Sequence, residues 1–528
     1  MNRRLFPLIV VYGVLCAAAY SCLLPLWEGF DEAYHYGYVQ YLSTKLSLPE
    51  LGKAELSREI WHSYELAPVS HYVQPFTGAP INFSAHFSMT QEMRDERRRK
   101  AESIPENEKY EPQPGKPNYE VNQAILPYLY MAVIDGTLTD TPIFTRVLTL
   151  RLACSILAVL LIAHATWLLA RQLALPGLYS CGALYCVFSS QMLYATICHV
   201  CNDWLAVPIM AYLIYAAIRV AEGGPRGNYF LLGFVFAASI LVKAYFLFLA
   251  PLACGAVGWA VWKRRTGFMN LVFFLVPILV LSGPWYARNQ VLYHNFSGAV
   301  VQTAGTGISA MVHSALTLPW IESIDYMALA SLWTGNNSFT TFSSRTLYAI
   351  LLLLAAGAAL YGRRAKPQVA NICLISAIVL FCCTLAVITV SFHVSSRGAV
   401  WAAVPWYMQT LLAPVLLLVF SGFSNGGRWG NLLAAASVFL WGYVLAATFL
   451  LKLIPLYGGF AAPRPRLADL WRWYMEQGDS RDAVLRTLSL SSPPVIWSLT
   501  GAALIVGLAL GFWLVSLSIH FNSMLKNR

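Results

Sequence analysis

The segment from Trp27 to Leu42, WEGFDEAYHYGYVQYL, holds the densest set of groups able to do chemistry. Asp31 and Glu32 are adjacent carboxylates. His35 follows Asp31 at i+4, the spacing that brings two side chains onto one side of a helix. A carboxylate held near a hydroxyl can take its proton, while a neighbouring acid or imidazole orients the reactants. A second role is open to the same residues, because Asp31 is also a good helix N-cap. DEAYH resembles the zinc helix HExxH, but the first histidine of that pair is missing, so no metal ligands are assigned. Tyr34, Tyr38, Tyr41 and Leu42 recur at i, i+4, i+7 and i+8. That period predicts a helix with one aromatic face lying along an apolar boundary.

Other charged residues stand alone at the edges of apolar runs: Glu120, Arg146, Arg151, Asp203, Lys243, Arg288 and Arg397. Lys243 lies between two such runs and needs an anionic partner or water. Cys198, His199 and Cys201 could serve metal or redox chemistry, yet two small apolar cysteines buried at a helix junction produce the same pattern.

What must position these groups follows from composition. The 528 residues are 58% apolar and 12% charged, with a mean hydropathy of +0.56. A soluble domain carries about 25% charged residues, and disorder needs low hydrophobicity. Lipid is therefore the main solvent, and uninterrupted apolar runs of about 20 residues select helices over barrel strands. The expected fold is an all-α polytopic membrane protein of about 12–13 transmembrane helices. An uncleaved signal-anchor ends at Leu26, and further spans fall at 143–170, 174–197, 203–221, 228–242, 245–262, 267–287, 345–361, 369–391, 400–421, 430–454 and 494–520. The short, Pro-interrupted run 123–137 reads as partial or re-entrant.

The net charge of +11 does not point to nucleic acid. Fourteen Lys and Arg, with Glu222 as the one acid, fall in short loops on a single side, which makes that side cytoplasmic. Both termini are then inside. Residues 27–122, 288–344 and 455–493 are outside, and with them Asp31, Glu120, Asp203, Arg288 and Arg397. The first outer segment, with 15 acids and 10 bases, is too long for a connector and includes a solvated helix over Thr90–Lys100. The chain divides into a transmembrane unit, 1–454, and a C-terminal part, 455–528, holding an outer loop and the last span.

Residues 27–42 resemble the outer acidic loop of the GT-C superfamily, multi-pass glycosyltransferases that use lipid-phosphate-linked sugars. They are particularly similar to the "PDEPAH" pattern of its bacterial members. Asp31, Glu32 and His35 match, while Phe30 and Ala33 replace the prolines. Asn118–Tyr128 resembles "YE-x-HQPPLYY", with Ala124 and Ile125 in place of its prolines. Arg146 and Arg151 match a helix start, Asn202-Asp203 "NDAL", Lys243 "LTK", Trp285–Asn289 "WYLRN", Ser331–Gly335 "SFWG", and Ser396–Gly398 part of "GRY". The matches run in order through about residue 420 and then stop.

The resemblance implies transfer of a sugar from a polyprenyl-phosphate donor to a lipid, glycan or protein acceptor, outside the cytoplasmic membrane. Asp31 would be the base, and Glu120 or Glu32 would orient the acceptor or a divalent cation. Arg288, Arg397 and Lys243 would hold phosphate, with His35, Arg151 and Asp203 beside the substrate. A transporter or flippase, or an O-antigen polymerase or ligase, would also hold charge at the membrane. The former needs no 96-residue outer loop, and the latter generally place theirs late in the chain.

Overall fold

The apolar runs become helices, as lipid requires. The computed structural model describes residues 4–71, 74–77, 80–105, 108–263, 267–298, 307–336, 341–364, 368–460 and 466–476, with scattered positions between 503 and 514. Among these, nine helical stretches are long and apolar enough to cross a membrane. They are Leu5–Leu23, Ile143–Gln172, Asp203–Ala221, Ala244–Trp262, Phe268–Tyr293, Ser344–Arg363, Val369–Ser395, Pro405–Asn425 and Gly427–Tyr457. Each coincides with an expected span. The expected span 174–197 is two shorter helices, Gly177–Phe188 and Gln191–Ile197, broken at Ser189 and Ser190. The run 228–242 is the seventeen-residue helix Arg226–Val242. Leu126–Gly136, at eleven residues, is too short to cross. Most of the expected last span lies outside the described residues.

Asp203–Ala221 is the central helix, packed against Ile143–Gln172, Arg226–Val242 and Ala250–Trp262. Leu5–Leu23 packs on Ile143–Gln172 and Gly177–Phe188. Phe268–Tyr293 lies at the periphery and exposes Leu279, Val280 and Val291. Its regular winding is interrupted after Pro277 by the wider turn Ile278–Ser282.

One end of the bundle carries most of residues 27–122. The strands Glu55–Ser57 and Pro112–Pro117 pair antiparallel. The short helices around them start on side-chain caps: Ser57 for Arg58–Leu66, Asn82 for Phe83–Ser88 and Thr90 for Gln91–Glu102. The charged stretch is thus the solvated helix its sequence predicts. The cap over the bundle is tied down by Arg146, which is fully buried and paired with Glu59. Its Nη1 donates to Tyr110 Oη at 3.1 Å and its Nε to the Thr141 carbonyl at 3.1 Å.

Between the first helix and Glu32–Lys45 the chain turns through Trp27 and Asp31, both at positive φ (62° and 55°). A buried clamp holds this turn. Arg151 Nε and Nη2 donate to the two Glu32 carboxylate oxygens at 2.7 and 2.5 Å. Nη1 and Nη2 also reach the Leu24 and Pro25 carbonyls at 2.5 and 2.9 Å. Val200 N–H completes the Glu32 shell at 2.9 Å. Removing one partner of such a pair strands a charge in the interior. Arg151→Met should therefore lower unfolding stability in detergent by about 3–5 kcal/mol. Chemical denaturation followed by tryptophan fluorescence measures this, and an unshifted midpoint rules the clamp out as a structural determinant.

Candidate functional site

With the turn fixed, Asp31 sits at the head of Glu32–Lys45 in left-handed backbone conformation, and its side chain makes no capping bond. The capping role open to it in the sequence is not what this geometry shows. Asp31 is exposed, and its Oδ1 accepts a 2.6 Å hydrogen bond from the Tyr119 hydroxyl. Burial and the Asp31 charge push the Tyr119 hydroxyl far above its ordinary range, so it stays a donor. The Tyr119 ring lies 4.2 Å from that of Tyr34.

The helix carrying Asp31 is more enclosed than its aromatic period suggests. Tyr38 and Leu42 are buried, as are Ala33, His35, Tyr36, Val39 and Gln40. The helix is covered by protein on most sides instead of resting one face along the membrane boundary. Tyr36 and Ser43 anchor it by donating to Asp135 at 3.0 and 2.7 Å.

The turn Tyr119–Asn122 brings the second acid to the site. Asn118 caps it by accepting the Glu120 N–H at 3.0 Å, and its own amide donates to the Tyr34 carbonyl at 2.8 Å. Glu120 is buried, with Oε2 3.7 Å from His35 Nδ1 and no hydrogen-bond partner for that oxygen. His35 Nδ1 instead meets the Tyr128 hydroxyl at 2.6 Å. Burial first, then the Asp31 charge, pushes the Glu120 carboxyl up to about 8, against the opposing pull of Lys243. Burial, with Lys243 and His199 nearby, holds His35 well below the usual imidazole range. Both shifts favour the neutral form.

A third layer lies deeper. Lys243 interrupts two helices in extended conformation and donates to both Asp203 oxygens, at 2.6 and 2.7 Å. Its ammonium also faces the Tyr407 ring, 4.4 Å from the centroid. Next to Tyr407, Trp406 stacks on Phe30 at 4.2 Å. Phe30 in turn meets the edge of His199. Gly29 permits this approach, since a Cβ there would stand 2.3 Å from His199 Cβ.

Asp31, Glu120, His35, Asp203 and Lys243 thus form one cluster. Glu32 and Arg151 lie beneath it, fully paired with each other and closed off. Arg288 is half-buried beside Trp285 and Tyr293. One amino group donates to the Pro49 carbonyl at 2.6 Å, while Nη1 has no partner. Arg397 stands apart: it is exposed, at φ 54°, with no side-chain partner among the described residues. Also among the described residues, no set of three or more His, Cys, Asp or Glu is placed to hold a metal ion. Cys198, His199 and Cys201 are buried packing residues. Tyr119, Tyr128 and Tyr407 were not singled out from sequence. Tyr119 had a signal, as the neighbour of Glu120, but nothing marked Tyr407 within its aromatic run.

No family model and no curated protein matches this sequence. In structure the chain is similar to the crystal structure of ArnT from Cupriavidus metallidurans bound to undecaprenyl phosphate. The TM-score is 0.50 and the identity 12%, over 99% of this chain and 78% of that one. The fold is GT-C-like. This chain is accordingly a multi-pass membrane protein of GT-C-like fold, with its acidic cluster at the loop-covered end of the bundle.

The Asp203–Lys243 pair gives that fold a measurable joint. Lys243→Met should destabilise by about 3–5 kcal/mol, because it leaves a buried carboxylate unpaired. Adding Asp203→Asn should recover part of the loss. A double-mutant cycle of thermal unfolding in detergent reads the coupling, and additive effects would show that the two residues act independently.

Proposed function

We propose that this protein is a glycosyltransferase that moves a sugar from a polyprenyl-phosphate carrier to an acceptor hydroxyl. The observation that carries the reading is Asp31. It is an exposed carboxylate in a strained turn, released from capping and oriented by Tyr119, in a fold similar to one solved with a lipid phosphate. The acceptor hydroxyl gives its proton to Asp31 as its oxygen attacks the anomeric carbon. The carbon–oxygen bond to phosphate breaks on the opposite face, and its electron pair stays with the phosphate. Inversion follows from that single displacement.

The phosphate needs cations. Arg288 offers the unpartnered Nη1, and exposed Arg397 is free to fold onto an arriving headgroup. Lys243 is already bidentate on Asp203, so it acts on phosphate only through its field unless that pair opens. Glu32 and Arg151 serve by holding the turn that presents Asp31. The transmembrane unit of residues 1–454 is assigned the reaction. Within 455–528, Leu467–Glu476 packs back on that unit, with Tyr474 donating to the Leu450 carbonyl at 2.7 Å. The acceptor is a lipid, a glycan or a protein.

Asn keeps the size of Asp31 and cannot take a proton, so Asp31→Asn should reduce transfer on the order of 100-fold or more. Expression and thermal stability should stay near wild type, since no cap is lost. The assay is transfer of radiolabelled sugar by purified protein in lipid. Wild-type rates in Asp31→Asn would remove Asp31 from the reaction.

The same reading places the site on the outer face of the cytoplasmic membrane, supported by the one-sided Lys and Arg loops. In intact cells, an impermeant thiol reagent should label single cysteines introduced within residues 86–102 and spare those beside Lys263 or Arg363. Labelling of both sets from the same side overturns this orientation.

A further inference from the structure

We propose that Glu120 is the acid of this site: it is carried protonated and hands its proton to the phosphate oxygen that leaves the sugar. The inference rests on the glycosyltransferase reading for its second half only. The first half, a resident proton, follows from geometry. Glu120 Oε2 is buried and receives no hydrogen bond, so ionisation would leave one carboxylate oxygen without a donor, which is costly in such a place. The nearest imidazole supplies none, because His35 Nδ1 lies 3.7 Å away and is engaged at 2.6 Å with the Tyr128 hydroxyl.

Among the described residues, the groups that face Glu120 come from several elements. Asp31 and His35 come from the Glu32–Lys45 helix and its head, Tyr128 from Leu126–Gly136, and Asp203 from the central helix. Lys243 and Tyr407 face it from the deeper layer, and Gln123 hydrogen-bonds it from its own turn. Asp31 and Asp203 disfavour a second or third negative charge here, and Lys243, the cation that acts on Glu120 among the described residues, is bidentate on Asp203. Burial and these charges set the carboxyl near 8.

Two carboxyls in contrasting surroundings, one open and one enclosed, divide base from acid. The proton balance closes. The acceptor proton goes to Asp31, the Glu120 proton goes to the departing phosphate oxygen, and the new glycosidic bond replaces the broken one. Asp31 then releases its proton to solvent and Glu120 takes one back.

Dicyclohexylcarbodiimide, an apolar reagent that adds to protonated carboxyls, tests the resident proton without substrate. With the full-length protein in lipid nanodiscs, peptide mass spectrometry should find Glu120 modified at pH 6–7. Modification should fall as pH rises through about 8. In Asp31→Asn the fall should move to lower pH, because a repelling charge is gone. Modification that stops below pH 5, or is unmoved by Asp31→Asn, overturns the proposal.

Stability gives an independent check. A carboxyl raised from 4.5 to about 8 on folding makes the native state hold the extra proton in between. Stability therefore declines as pH rises from about 4.5 to 8 and is level above that. Glu120→Gln should lack this decline, and a variant that keeps it argues against the assignment.

For the transfer step, the wild-type rate should fall above pH 8 and Glu120→Gln should lose that alkaline limb together with most of its rate. An alkaline limb unchanged in Glu120→Gln overturns the acid role. Absence of any transfer by the wild type, with labelling as expected, overturns the glycosyltransferase reading and the acid step with it, leaving the resident proton established by the labelling.

Discussion

The Glu32–Arg151 clamp is the interaction on which the site depends. A guanidinium binds one carboxylate and two carbonyls at once, so it fixes both the end of the first helix and the start of the next. Between those two fixed points the chain has few residues in which to reverse. It does so through positive φ at Trp27 and Asp31, a strained solution that aspartate tolerates better than most. The strain turns Asp31 outward while its neighbour Glu32 is drawn inward. A buried ion pair is a poor source of net stability but a good device for specifying one geometry, and here the geometry presents a carboxylate.

The turn Tyr119–Asn122 complements the clamp from above. Three residues of this stretch face the Glu32–Lys45 helix and its head, Asn118 at Tyr34, Tyr119 at Asp31 and Glu120 toward His35, while Asn122 donates to the Gly298 carbonyl. Gln123 adds a contact with Asn202 at the head of the central helix. The end of the long 27–122 segment is thus stitched to the bundle on several sides. That anchoring makes a loop residue as precise as one on a helix.

Much of this was legible in the sequence. Apolar runs and basic loops located the spans, because lipid imposes a length and a composition on anything that crosses it. The same topology groups Asp31, Glu120, Asp203, Arg288 and Arg397 on one side, and of these Asp31, Glu120 and Asp203 meet in the cluster, where Lys243 finds in Asp203 the anionic partner its place between two apolar runs requires. The other partners were not legible there. Glu32 was grouped with Asp31 because it is adjacent, yet its partner lies 119 residues away, a distance local spacing cannot express. The period of Tyr34, Tyr38, Tyr41 and Leu42 predicts one covered face, and of the four Tyr38 and Leu42 are buried while Tyr34 and Tyr41 are half-buried. Periodicity reports that a face is covered without saying by what, and here the cover is protein. Arg288 and Arg397 looked equivalent as cations at span ends, but only Arg288 has aromatic rings and a carbonyl to hold it.

Charge matching separates the scaffold from the site more sharply than proximity does. Glu59 has Arg146, Glu32 has Arg151, and Asp203 has Lys243, each at hydrogen-bonding contact. Such pairs neutralise charge that burial would otherwise penalise, and they can be read as structure. Asp31 and Glu120 have no cation of their own among the described residues. Asp31 meets this by staying in solvent, with a tyrosine hydroxyl as its donor; Glu120 meets it by keeping its proton. The two solutions are different, and both leave a carboxyl chemically available. An arriving phosphate would meet one exposed negative charge instead of two, and the half-engaged Arg288 becomes the natural place for its compensation. The acids that the fold leaves unmatched are therefore those with which it can do chemistry.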